Sequence, residues 1–111
     1  MGPASEQAAS YRQEVLELLG DIDVATLELE KDETNQELVN RLFRAFHTIK
    51  GSGAMFGFDE VARFAHHVET TLDCVRNGRV RVTDELIDLI LAARDAIGIL
   101  LMKSEAEQKA T

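Results

Sequence analysis

Apolar residues recur every three or four positions in four stretches of this chain, and short polar or glycine-containing links part the stretches. In the first, Tyr11, Val15, Leu18, Leu19, Ile22, Ala25 and Leu29 fall on one side of a helix. Glu14, Glu17, Asp21, Asp23 and Glu28 take the other side. "KDETNQ" then breaks the pattern with residues suited to helix ends. A second helix is predicted from about Asn35, with Glu33 and Glu37 near its start, where negative charge is favoured. Its buried stripe is Val39, Leu42, Phe46, Ile49, Gly53 and Phe56, and Gly57 marks its end. A third helix is predicted from Asp59, read as its cap, to Arg76. Val61, Phe64, Ala65, Val68, Leu72 and Val75 form its inner face. "NGRVRV" stops it at Gly78, and Thr83 or Asp84 caps a fourth helix with Leu86, Ile90, Ala93, Ile97, Leu100 and Leu101 inward.

Four amphipathic helices with short links specify an all-α fold, an antiparallel up-down four-helix bundle. Nothing reads as a strand, because "RVRV" is too short and has no partner. Residues 1–5, "MGPAS", are read as a flexible N-terminus or tag remnant, 6–103 as the bundle, and 104–111 as a polar tail that frays.

The bulk properties narrow the function. A chain of 111 residues suits one domain that buries a core without disulfides or metal. The single Cys74 cannot form an internal disulfide, and no signal peptide is visible, so a reducing cytoplasm is expected. The nearest approach to a membrane span, "LIDLILAARDAIGILLM", is interrupted by Asp88, Arg94 and Asp95. A net charge of −8 disfavours nucleic acid and anionic membrane surfaces, which call for clustered Lys and Arg. A protein partner or a modifying enzyme fits better.

One segment, "FRAFHTIKGSGAMFGF", carries more than packing demands. His47 lies one step beside the core stripe of the second helix, about 100° round from Phe46, so its ring is expected at the margin of the core. Its neighbours on that face are Phe43, Arg44, Lys50, Gly51 and Ala54. Gly51 and Gly53 each cost a helix about 1 kcal/mol relative to Ala. Small neighbours expose the ring and admit another protein's backbone. Lys50, one turn away, repels a protonated imidazole and attracts a phosphoryl group carried on it, by about 1 kcal/mol per charge at 4 Å in water and several-fold more at a low-dielectric surface. This face therefore suits a histidine that becomes modified.

The tight turn at Gly57 makes the second and third helices antiparallel neighbours. Residues equally distant from it then meet, which sets His47 against the edge formed by His66 and Glu69. A carboxylate accepting the Nδ1 proton of His47 holds the tautomer that leaves Nε2 bare and nucleophilic. Glu69 is assigned that role, with His66 as a second hydrogen-bonding neighbour. Taken singly, each of these residues is more often a solvated or structural side chain; only their conjunction carries a functional reading. His67, the phenylalanines, Met55 and Cys74 are read as solvated, core or core-edge residues. A metal site of His47, His66 and Glu69 competes poorly. Di-metal bundles use Glu-x-x-His on two helices with two further glutamates, and Lys50 opposes a cation.

"HTIKGSGAMFGF" and the later "AHHVE" bring a family into view. The first resembles the His-x-(Ile/Leu)-Lys-Gly signature of histidine-containing phosphotransfer (HPt) domains, and the whole is similar to the N-terminal phosphotransfer domain of the chemotaxis histidine kinase family, CheA. "YRQEVLELLGDIDVATLELEKD", "NRLFRAFHTIKG" and "TTLDCVRNGRVRVTDELIDLIL" extend the likeness from about Tyr11 to Met102. The resemblance implies that His47 is the phosphorylated residue and Lys50 the lysine beside it. It implies that His66 and Glu69 are the hydrogen-bonding pair, and Gly51 the small residue beside the ring. It further implies two partners, the ATP-binding catalytic domain of the kinase as donor and the receiver domain of a response regulator as acceptor. No cofactor is expected in this domain: ATP and Mg belong to the kinase domain, and Mg to the regulator. The isolated domain is then a phosphoryl acceptor and donor without kinase activity of its own, from a bacterial cytoplasmic kinase of chemoreceptor clusters. Regulator choice is expected to depend on Arg44, Gly51, Ala54 and Met55. That family often has a fifth helix, expected to be truncated here. Two other readings stay open: a stand-alone or hybrid-kinase phosphotransfer protein, and a helical interaction module without phosphotransfer.

Overall fold

A computed structural model of the chain describes the backbone of residues 3–110 and the side chains of residues 6–104. It contains four helices, α1 (Pro3–Lys31), α2 (Gln36–Met55), α3 (Asp59–Arg76) and α4 (Asp84–Ala110). Each packs on its neighbour in sequence, and α4 closes the ring against α1, as an up-down bundle requires. No strand occurs among the described residues.

The apolar stripes meet in one core. Val15, Leu19, Ile22 and Leu29 of α1 face Val39, Leu42, Phe46 and Ile49 of α2. Val61, Ala65, Val68 and Leu72 of α3 and Leu86, Ile90, Ala93, Ile97 and Leu101 of α4 complete it. Phe64, expected inside, is 41% exposed, because it lies at the outer edge of the α3 stripe where the smaller Ala65 fills the interior position.

The helix ends show where local chemistry sets the boundaries. Asn35 caps α2, its side chain accepting from the Leu38 amide at 3.2 Å. Thr83, one of the two candidates for α4, accepts from the Leu86 amide at 3.2 Å. The expected cap of α3 is corrected: Asp59 is already helical, and Phe58 precedes it with no side-chain cap. Asp59 and Glu60 instead place negative charge in the first turn, where the helix dipole favours it. Gly57 and Gly78 take φ of +84° and +75°. Beyond Gly57, the Phe58 amide returns to the Gly53 carbonyl at 2.8 Å; beyond Gly78, the Arg79 amide returns to the Cys74 carbonyl at 2.9 Å. Both close Schellman motifs, which place glycine in the left-handed position.

The helical backbone extends into both ends of the chain. Met1 and Gly2 of "MGPAS" lie outside the described residues, and Pro3–Ser5 already belong to α1. At the other end α4 continues through "KSEAEQKA" to Ala110. That stretch has no Gly or Pro and is rich in Ala, Glu, Gln and Lys, all strong helix formers. No fifth helix occurs among the described residues.

Candidate functional site

The tight turn at Gly57 folds α3 back along α2, and it brings together four side chains that the sequence singled out. His47 stands on the outer margin of α2 with its side chain 61% exposed. Opposite, Glu69 of α3 is only 6% exposed, and among the described residues it is the one charged side chain in the buried class. A buried carboxylate is costly unless its oxygens find donors. Both oxygens do: Oε2 contacts His47 Nδ1, and Oε1 accepts from Lys50 Nζ at 2.5 Å. His66 Nδ1 lies 3.4 Å from Oε1, longer than a usual hydrogen bond, with its side chain 63% exposed.

The electrostatics follow from this geometry. Burial pushes the Glu69 carboxyl up. The hydrogen bonds from Lys50 and His47, together with their charges, reverse that effect and hold it below its ordinary value of 4.5. At neutral pH Glu69 is therefore an anion and can only accept. The proton between it and His47 then sits on Nδ1, and a neutral ring keeps its Nε2 lone pair free. With the ring largely exposed, that nitrogen is available to an incoming protein.

The structure adds to the expected role of Lys50. Its ammonium is engaged with Glu69, with a side chain 30% exposed, so its charge first supports the buried carboxylate. The ammonium has three N–H donors, so the contact with Glu69 does not use all of them.

The two glycines of "GSG" separate in meaning. A Cβ on Gly51 would meet nothing within 4 Å, so packing does not require glycine there. Gly53 is different. It is buried, and a Cβ there would lie 2.7 Å from the Tyr11 hydroxyl. Gly53 lies in the buried stripe, as its spacing predicted; the structure adds a packing reason for glycine there, where the sequence offered none. Gly53 lets Tyr11 of α1 reach the Ile49 carbonyl at 2.8 Å, between Phe56 and Phe58, whose rings lie 6.0 and 4.7 Å away. This buried bond ties α1 to the turn of α2 that follows His47.

Of the residues expected to meet a partner, Arg44, Gly51, Ala54 and Met55 are all exposed. Arg44 lies 3.6 Å from Glu37, and Met55 is 76% exposed.

The sequence placed Phe43 beside His47 but did not show how its ring packs or that Arg76 covers it. The Phe43 ring stacks on His47, with centroids 6.0 Å apart and planes 11° from parallel. The Arg76 guanidinium, from the last turn of α3, sits over Phe43 at 4.1 Å from the ring centroid. The spacing of Phe43 and His47, four residues apart on one helix, was the available signal. Nothing in the spacing of Arg76 foretold its place.

Comparison with known proteins identifies the family. The chain is 42% identical, over 80% of its length, to the chemotaxis protein CheA of Rhizobium meliloti, and covers 13% of that protein. It is 46% identical, over 72% of its length, to CheA of Listeria monocytogenes, again covering 13% of it. The chain thus spans about an eighth of the curated relatives it matches. Among solved structures, the CheA phosphotransferase domain from Thermotoga maritima superimposes with a TM-score of 0.87 at 35% identity, covering 93% of this chain and 97% of that one. The phosphorylated P1 domain of CheA3 in complex with CheY6, from R. sphaeroides, superimposes with a TM-score of 0.84 at 29% identity, covering 93% and 80%. The Hpt domain family matches residues 8–107. With an imidazole at the rim of a four-helix bundle, a carboxylate behind it and a match over nearly the whole chain, this protein belongs to the Hpt domain family and is an Hpt domain of the CheA type.

Proposed function

We propose that this domain is the phosphocarrier of a chemotaxis-type histidine kinase. His47 Nε2 takes a phosphoryl group from ATP bound to the kinase catalytic domain and passes it to an aspartate of a response-regulator receiver domain. The carrying observation is the contact between the buried Glu69 carboxylate and Nδ1 of a ring whose other edge faces solvent.

The chemistry follows from that contact. The Nε2 lone pair forms the N–P bond as the bond from the γ-phosphorus to its bridging oxygen breaks, and ADP leaves with that electron pair. No general base is needed, since Nε2 carries no proton in this tautomer. With Nε2 substituted and Nδ1 still protonated, the ring is cationic, and the Glu69 carboxylate balances it. Lys50 can turn an N–H toward the phosphoryl oxygens while remaining near Glu69. On the receiver, an aspartate oxygen attacks the phosphorus, the N–P bond breaks, and the pair returns to Nε2. ATP and Mg are contributed by the kinase domain, and a second Mg by the receiver. The complex of a related P1 domain with CheY6 supports the receiver step. No helix among the described residues is long and apolar enough to cross a membrane, which agrees with a place in the bacterial cytoplasm at chemoreceptor clusters.

The test is incubation of the chain with a CheA catalytic core and ATP, followed by mass spectrometry at neutral pH. One acid-labile phosphoryl group is expected on the wild type and none on His47→Gln. Uptake by the His47→Gln chain, or none by the wild type, overturns the reading.

A further inference from the structure

We propose that Phe43, held by Arg76, is a positioning residue for phosphoryl transfer: its ring sets the plane of the His47 imidazole. The inference rests on the phosphocarrier reading and adds residues that the Glu69–Lys50–His66 cluster does not include.

His47 has few packing neighbours, since 61% of its side chain is exposed. The contact of its Nδ1 with Glu69 fixes the tautomer and one point on the ring edge. A single contact through one ring atom leaves the ring free to tilt about it. The Nε2 lone pair lies in the ring plane, so a tilt turns it away from the line of the breaking P–O bond. Phosphoryl transfer depends on that alignment. The Phe43 ring lies nearly parallel to the imidazole, with 11° between the planes, and is displaced from it, with centroids 6.0 Å apart. A nearly parallel ring packed in this offset arrangement resists the tilt that a contact through one ring atom permits.

Phe43 is itself held. It is half-buried against the core, which fixes its own ring. The Arg76 guanidinium covers it at 4.1 Å, and Arg76 is steadied by Asp73 at 3.6 Å. The support thus runs from α3 through Phe43 to His47, beside the separate path from α3 through Glu69. Glu69 of α3 holds the ring edge, and Phe43 of α2, backed by Arg76 of α3, limits its tilt.

The test compares Phe43→Leu, Phe43→Tyr and Arg76→Gln with the wild type in single-turnover phosphorylation by a CheA catalytic core, with the core varied to saturation. Phe43→Leu should lower the saturated rate constant by about 10-fold, the scale set by modest misalignment of a reacting atom. The half-saturating core concentration should stay within about twofold, since Phe43 is placed to act on kcat rather than KM. Phe43→Tyr keeps the flat ring and should stay within about threefold of the wild type. Arg76→Gln, at a partly exposed site that tolerates the change, should give an intermediate loss. In ¹⁵N-histidine spectra the His47 proton should stay on Nδ1 in all three, because Glu69 is untouched. A wild-type rate in Phe43→Leu overturns the proposal, as does an equal loss in Phe43→Tyr or an effect confined to half-saturation. Failure of the wild type to take up phosphate would instead overturn the carrier reading itself.

Discussion

Replacing Glu69 by Gln keeps the shape of the side chain and removes its charge, and the structure shows how the site must respond. Lys50 Nζ donates to Oε1 at 2.5 Å, and an ammonium can only donate. His47 Nδ1 meets Oε2, and an imidazole nitrogen can donate or accept. The amide oxygen of the variant therefore turns to Lys50, and its NH₂ group turns to His47. The ring answers by carrying its proton on Nε2, the atom that has to attack phosphorus. A hydrogen bond to a charged group contributes about 1.5–3 kcal/mol, and at roughly 1.4 kcal/mol per decade its loss corresponds to about 10- to 100-fold. The variant also lacks the anion that balances the phosphorylated ring. Single-turnover phosphorylation with a CheA catalytic core should slow by that factor. Half-saturation should change little, since Glu69 is buried and presents nothing to a partner. Helical circular dichroism should be unchanged, and ¹⁵N-histidine spectra should show the proton on Nε2 of His47. A variant phosphorylated within about twofold of the wild-type rate, or one whose ring keeps its Nδ1 proton, would refute the reasoning.

The two glycines should part in stability measurements. Gly51→Ala, whose Cβ would meet nothing within 4 Å, should stabilise the bundle by about 0.5–1 kcal/mol and raise Tm by a few degrees. Gly53→Ala should destabilise it by about 1–3 kcal/mol, because its Cβ would fall 2.7 Å from the Tyr11 hydroxyl. Tyr11→Phe should cost about 0.5–1.5 kcal/mol in urea titration through loss of the 2.8 Å bond to the Ile49 carbonyl. The Tyr11→Phe/Gly53→Ala pair should be less unstable than the sum, since the hydroxyl in the way is gone. Acid should weaken the fold through Glu69. Its carboxyl is held below its ordinary value of 4.5 in the folded chain, so the stabilisation is fully present above that value and is lost as pH falls through the lowered one. Thermal melts from neutral pH to below 4.5 should show a smaller fall for Glu69→Gln than for the wild type.

Much of the candidate site could be read from order along the chain. His47, Lys50 and Gly51 are neighbours on one helix, and local spacing places them on one face. Glu69 and His66 could be added because one tight turn makes their helix the antiparallel partner, so counting from Gly57 finds them. Phe43 was legible as a neighbour of His47 but not as a stacked one. Ring orientation depends on which rotamers the packing permits, and periodicity says nothing of that. Arg76 was not legible as a contact, since its reach to Phe43 depends on how α2 and α3 pack and on the rotamer of a long side chain. Gly53 was legible as a buried position but not as an obligatory glycine, because the group that excludes its Cβ comes from Tyr11, in another helix.

The amino-acid order alone determined that four amphipathic helices form and where most of them stop. Period, caps and left-handed glycines act over a few residues, and one chain segment contains all the information they need. Only the tertiary structure decided how deep Glu69 lies, that Lys50 and His47 share it, and which glycine is forced. Those are properties of the seams between helices. There the burial of a charge, the direction of a proton and the room for one methyl group depend on atoms distant in sequence and adjacent in space.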